Sequence, residues 1–205
     1  MLEAVNLGCV RGDRRLFSDV NFSLQPGSLL QLTGPNGSGK TSLLRIVCGL
    51  LAPAEGEIRW QGENIKSLAE DYLRAISYVG HRNGVKEELN PLENLRISNG
   101  VAGVGISLED AKLALAKIGL VGRDELPARL LSEGQQRRLA LARLITSAAT
   151  LWVLDEVLTS LDKAAVALLK TLIGEHLHKG GMAIIATHQE LSLSAGSLQR
   201  LELAS

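Results

Sequence analysis

The run Gly34-Pro35-Asn36-Gly37-Ser38-Gly39-Lys40-Thr41 has the residue types needed to hold a chain of phosphates. It fits the pattern G-x-x-x-x-G-K-[ST], with an apolar, β-compatible segment before it (28–33) and helical spacing after it. Glycines let the backbone close around the anion, while successive N–H groups and a helix N-terminus supply partial positive charge. Lys40 is placed to reach the terminal phosphates and Thr41 to ligate Mg²⁺, with Ser42 beside it in the first helical turn. A second feature, "LWVLDE" at 151–156, is an apolar strand ending in two acids. Asp155 can hold Mg²⁺, directly or through water. Glu156, its neighbour on the strand end, points another way and can face an attacking water. His188 follows a further apolar strand in "IIATHQEL" and could touch the terminal phosphate or the water. By itself such a histidine is as often an ordinary polar surface group. A third feature, "LLSEGQQRRLALARL" at 130–144, offers Ser132 as the N-cap of an amphipathic helix carrying Arg137, Arg138 and Arg143. That reads either as one more capped helix with a basic exposed side or as a second anion-binding helix start. In the second case it would cover the bare side of the phosphates, most simply from another copy of the chain.

These residues need elements to position them. Residues 2–33 read as short strands joined by turns at Arg11–Arg15 and Pro26-Gly27, ending in the strand that feeds the glycine loop. A helix is expected from Lys40 to Leu51, stopping near Pro53, and strands in "GEIRWQG" and "AISYVG". Residues 82–106 read as a mixed region with a glycine-rich tip at 99–107. "LEDAKLALAKIG" (108–119) is an amphipathic helix capped by Ser107 and ended by Gly119. After the Ser132 helix come the strand 150–156, a helix over about 162–178, the strand 182–187 and a final alternating edge strand, "LQRLELA". "TLWVLDE" is almost wholly apolar, as a parallel strand buried on both faces must be. The expected fold is therefore α/β: strand–helix alternation around a largely parallel sheet, with a helical insertion at about 81–145 between core segments at about 1–80 and 146–205.

Bulk properties narrow the function classes. The 205 residues suit one domain with an inserted subdomain, and 22 Lys plus Arg balance 22 Asp plus Glu. Neutral charge argues against a general nucleic-acid or anionic-membrane binder. Cys9 and Cys48 lie in apolar surroundings and match no metal or haem-attachment spacing, so reduced thiols are expected. No basic, apolar N-terminal targeting signal and no run long enough to cross a bilayer is read. His176 and His178, two apart on a helix, are poorly spaced for shared ligation and are expected at the surface. A GTPase or small-molecule kinase would leave "LSEGQ" and "ATHQ" unexplained, and no guanine-reading N-K-x-D occurs.

The order and approximate spacing of "GPNGSGKT", "LSEGQ", "LWVLDE", "SLD" and "ATHQEL" resemble the ATP-binding-cassette (ABC) ATPases over essentially the whole chain. The resemblance implies a P-loop fold with a RecA-like parallel-sheet core, an N-terminal antiparallel β subdomain and an inserted helical subdomain. It implies ATP and Mg²⁺ as ligands and head-to-tail pairing of two cassettes. Ser132, Gly134 and Gln135 of one copy would then cap ATP held by the other, with Asp162 near the interface. Glu156 would be the catalytic carboxylate and His188 the switch histidine. Glu133 departs from the usual LSGGQ and is expected to turn away from the nucleotide. Arg11 stands where many cassettes stack an aromatic on adenine, and a guanidinium can also stack on a ring. Val157 replaces a common proline.

"GHRNGVKEELNPLENL" (80–95), "LSEGQQRRLALARL" and "ATLWVLDE" further resemble the haem-exporter ATPase subunits of bacterial cytochrome c maturation. In that group His81 stands where generic cassettes have a glutamine. The resemblance implies a peripheral subunit on the cytoplasmic face of the inner membrane. Its integral partners would be of the CcmB/CcmC kind, and ATP use would release a haem-loaded periplasmic chaperone. The ATPase of another small-molecule ABC transporter stays open as the alternative; a soluble nucleic-acid-associated ABC protein is the third reading, and the neutral charge, single-cassette length and lack of a long coiled-coil insertion count against it.

Overall fold

The computed structural model describes residues 1–80, 83–159, 161–189 and 196–203. The chain starts with strands β1 (Leu2–Arg11) and β2 (Arg14–Leu24), then β3 (Ser28–Thr33) and helix α1 (Lys40–Val47). Strands β4 (Glu55–Trp60) and β5 (Glu63–Asn64), short helices α2 (Ile65–Leu68) and α3 (Glu70–Arg74), and strand β6 (Ile76–Val79) follow. Three helices come next: α4 (Pro91–Val101), α5 (Leu108–Lys117) and α6 (Glu133–Thr146). The chain closes with β7 (Leu151–Asp155), α7 (Lys163–His178), β8 (Met182–Ala186) and β9 (Ser197–Glu202).

Two sheets result. One is antiparallel, in the order β2-β1-β4-β5; the other is parallel, in the order β6-β7-β8-β3-β9. In the parallel sheet, successive residues of each central strand face opposite layers. Leu30, Leu32, Val153 and Ile184 pack toward α1 and the antiparallel sheet, with Leu43, Leu44 and Val47 of α1 and Leu2 and Leu7 of β1. Leu29, Trp152, Leu154 and Ile185 pack on the other side against Leu169, Leu172 and Ile173 of α7 and Leu141 and Leu144 of α6. Burial on both faces is why these strands carry no polar alternation. A third cluster joins α4, α5 and α6 through Leu95, Ala111, Leu115, Leu139 and Ala142. Helix α6 thus serves two cores at once.

Several expectations shift. The helix after the glycine loop ends at Val47 rather than Leu51, because Gly49 takes φ 70° and donates its N–H to the Ile46 carbonyl, while Leu50 is exposed. The region read as mixed contains α4, which runs through Gly100 into the expected glycine tip. Its start is secured by Pro91 in the first turn and by a reciprocal capping box between Asn90 and Glu93. His176 is half-buried rather than on the surface. Its ring stacks on Trp152 at 4.0 Å between centroids, and its Nε2 lies 3.1 Å from the Met182 carbonyl. Burial lowers its basicity.

Leu154, fully buried in the middle of the sheet, has no polar escape when truncated. Leu154→Ala should cost about 3 kcal/mol of unfolding free energy. A shift in denaturant midpoint measures this, and a change within about 0.5 kcal/mol would contradict the packing described.

Candidate active site

The glycine loop joins β3 to α1, and sterics dictate its glycines. Gly34 has φ 138°, and a Cβ there would lie 2.5 Å from the Leu203 carbonyl oxygen. Gly39 has φ 102°, and a Cβ would lie 2.9 Å from the Phe17 ring. Gly39 is also the N-cap of α1, which has no side-chain cap and no acid in its first turn. The helix N-terminus is therefore open to an anion. Lys40 is buried and folds over the loop, donating from Nζ to the carbonyls of Gly34 at 2.8 Å and Pro35 at 3.1 Å. Pro35, Asn36 and Gly37 form the exposed tip. Ser38 is buried, and its hydroxyl finds no hydrogen-bond partner among the described residues. Ser42 is half-buried, with its hydroxyl close enough to the Cys9 thiol to offset part of the rise that burial imposes on it.

The acidic strand end meets this loop. Asp155 is buried, and its Oδ1 accepts a hydrogen bond from Thr41 Oγ1 at 3.2 Å. Its other oxygen accepts from the Tyr78 hydroxyl, also at 3.2 Å. Burial first, and then the negative charge of Asp155, push the Tyr78 phenol up to about 12. Two hydroxyls and a carboxylate are the hard oxygen donors that suit Mg²⁺ and offer little to softer metals. Of these, Thr41 and Asp155 flank the loop.

Glu156 leaves the strand in a left-handed conformation, φ 51°, which is strained for any residue but glycine or asparagine. Its backbone is held on both sides. The N–H donates to the Ala186 carbonyl at 3.0 Å. The carbonyl accepts from Thr159 Oγ1 at 2.9 Å and Arg137 Nη2 at 3.4 Å. The turn aims the carboxylate between two cations or potential cations: Lys40 Nζ at 3.9 Å and His188 Nε2 at 3.7 Å. Val157 behind it is fully buried and anchors the turn in the α7-side core.

Arg137 corrects the reading of α6 as a helix with a basic outer side. Only 2% of it is exposed. It donates to the Gly80 carbonyl and the Asn83 side-chain oxygen, both at 2.8 Å, besides Glu156. Arg143 is half-buried, and burial lowers its basicity. Arg138 instead pairs with Asp162, whose Oδ1 caps α7 by accepting from the Ala165 N–H at 2.7 Å. That N–H first, and Arg138 second, hold the Asp162 carboxyl below its usual range.

The start of α6 is a reciprocal capping box: Ser132 Oγ accepts from Gln135 N at 3.3 Å, and Gln135 Oε1 accepts from Ser132 N at 3.0 Å. Ser132, Glu133 and Gly134 are exposed. Among the described residues, no hydrogen bond or ion pair joins this helix start to the glycine loop. Arg11 is exposed at the end of β1, paired with Arg14 across the hairpin. His81 lies outside the described residues. The structure thus brings Lys40, Thr41, Asp155, Glu156 and His188 together and leaves Ser132–Gln135 and Arg11 apart from them. Tyr78, Gly80 and Arg137 were not singled out as site residues from sequence. Only the pairing of β6 with β7, Tyr78 opposite Val153, puts Tyr78 on the face that Asp155 continues.

Such an arrangement is that of a P-loop nucleotide-binding domain. Residues 17–159 match the family model described as ABC transporter, and the chain belongs to that family. A protein of Nitrosospira multiformis named cytochrome c biogenesis ATP-binding export protein CcmA is 54% identical over 202 residues, covering 98% of each chain. One of the same name from Nitrosomonas europaea is 53% identical, covering 100% of this chain and 96% of its own. Among solved structures, a putative ABC transporter ATP-binding protein from Pyrococcus furiosus superposes with a TM-score of 0.84 at 26% identity, over 98% of this chain and 96% of that one.

If Arg137 holds the Glu156 turn, Arg137→Gln should lower kcat by roughly tenfold to a hundredfold while ATP affinity changes little, as misplacement of a reacting group does. Equal losses in affinity and turnover, in a variant whose melting curve shows it folded, would contradict this.

Proposed function

We propose that the chain is the ATP-hydrolysing subunit of a membrane export complex serving cytochrome c biogenesis. The observation that carries the reading is the convergence of Lys40, Thr41, Asp155, Glu156 and His188 on one glycine loop. The near-full-length relatives named for cytochrome c biogenesis support the branch.

In this reading the loop N–H groups and the α1 N-terminus bind the phosphates of ATP. Lys40, now donating to its own loop's carbonyls, exchanges them for phosphate oxygens at small cost because both are acceptors. Ser38 gains the partner its buried hydroxyl lacks. Asp155 and Thr41 would hold Mg²⁺, which when bound neutralises charge on the phosphates. Glu156 orients and polarises the attacking water, and His188, within reach of the same carboxylate, contacts the terminal phosphate. Ser132, Gly134 and Gln135 act on the nucleotide of a second copy, with Asp162 near that interface and Glu133 turned away. Arg11 lies against the base, and His81 senses the state of the site. Residues at about 81–145 form the helical insertion that integral membrane subunits engage. No described helix is long and apolar enough to cross a membrane. The subunit sits at the cytoplasmic face of the inner membrane, and its ATP cycle releases a haem-loaded periplasmic chaperone.

Glu156→Gln keeps size and hydrogen bonding but removes the charge that polarises water. Hydrolysis should fall by about 10²-fold or more with ATP binding retained. Turnover within a few-fold of the parent would overturn the assigned role of Glu156.

A further inference from the structure

We propose that Tyr78 is a positioning residue for the Asp155 carboxylate, and that position 80 is glycine so that the phenol can reach it. The inference rests on the reading that Asp155 and Thr41 hold the divalent cation.

Asp155 is 2% exposed and its two oxygens are bound separately, Oδ1 by the Thr41 hydroxyl and Oδ2 by the Tyr78 hydroxyl. A lone hydrogen bond leaves a carboxylate free to rotate about its Cβ–Cγ bond; one on each oxygen fixes its plane. The two donors differ in what else they do. Thr41 faces the phosphate loop and shares its oxygen with whatever cation binds there. Tyr78 comes from the neighbouring strand β6, and among the described residues its hydroxyl bonds to Asp155 alone. Its hydroxyl therefore plays the part that outer carboxylate and amide groups play behind metal ligands, holding the ligand in the orientation that binds.

Gly80 supplies the space. A Cβ at this position would lie 2.8 Å from the Tyr78 hydroxyl oxygen, 2.9 Å from Cε1 and 3.0 Å from Cζ. Its φ lies outside the left-handed region, so backbone conformation does not demand glycine here. The close phenol does. Tyr78's ring also packs against the core between the two sheets, so a phenylalanine keeps the packing and removes the hydroxyl alone.

Mn²⁺ binding to protein loaded with a non-hydrolysable ATP analogue, followed by electron paramagnetic resonance, tests this without turnover. Tyr78→Phe should weaken Mn²⁺ binding roughly tenfold. Nucleotide binding in the presence of a chelator should stay as in the parent. Gly80→Ala should weaken Mn²⁺ in the same direction, and the two losses should not add, since both remove one contact. Unchanged Mn²⁺ affinity in Tyr78→Phe, with Asp155→Asn abolishing binding, would overturn the role of Tyr78. Retained Mn²⁺ binding in Asp155→Asn would instead overturn the metal reading beneath it. A Tyr78→Phe variant that only melts earlier, with Mn²⁺ binding intact, would show a purely structural hydroxyl and also refute the proposal.

Discussion

The site depends first on the register of three parallel strands. Leu32 of β3, Ala186 of β8 and Asp155 of β7 lie in one row of the sheet. The chain leaves all three strands just beyond that row: into the glycine loop, toward His188 and into the Glu156 turn. A slip of one residue in any pairing would give each layer the side chains shaped for the other, so close packing against α1 on one face and α7 on the other holds the alignment. The chemistry then sits at the carboxyl ends of the strands, where open α/β sheets bind ligands. The strain at Glu156 follows from the same constraint. To leave the row and still present its carboxylate between Lys40 and His188, the chain takes a left-handed turn. Ala186, Thr159 and Arg137 hold it there.

Helix α6 carries this constraint outward. Its apolar residues divide between the core under the parallel sheet and the core of the three-helix group. Its capped N-terminus faces solvent, while Arg137, one turn in, reaches the Glu156 and Gly80 carbonyls. Arg138 on the adjacent position ties it to the start of α7. Rotation of α6 against the parallel sheet must either carry the Glu156 turn with it or break these bonds. A change felt at Ser132 therefore has a short, buried physical route to the carboxylate.

What could be read from sequence was what depends on neighbours along the chain. The glycine loop, the apolar strands, and the caps at Ser107 and Ser132 announce themselves within a few residues, and each stands where expected. The membership in the ABC transporter family was legible for the same reason, because its motifs are local strings. Helix α4 lies where the sequence reads as a mixed region with a glycine-rich tip: its capping box is local in "NPLEN", but Gly100 sits inside the helix rather than ending it. The burial of Arg137 was not legible. A guanidinium on an amphipathic helix looks like a solvated face until oxygens of Gly80 and Asn83, beyond β6, and of Glu156, beyond β7, close on it. The same holds for His176, whose stacking on Trp152 joins a helix to a strand 24 residues earlier in the chain. Tyr78 needed the β6–β7 register, which no local pattern supplies.

The proposed site is composite: one chain's phosphate loop would work with another's Ser132 helix. Mixing a Lys40→Ala chain with a Ser132→Arg chain and measuring ATP hydrolysis tests it most directly. In a mixed dimer both defects fall in one site and the other is whole, so activity should rise well above that of either variant alone. No recovery, with mixed dimers confirmed by differential tagging, would contradict the arrangement.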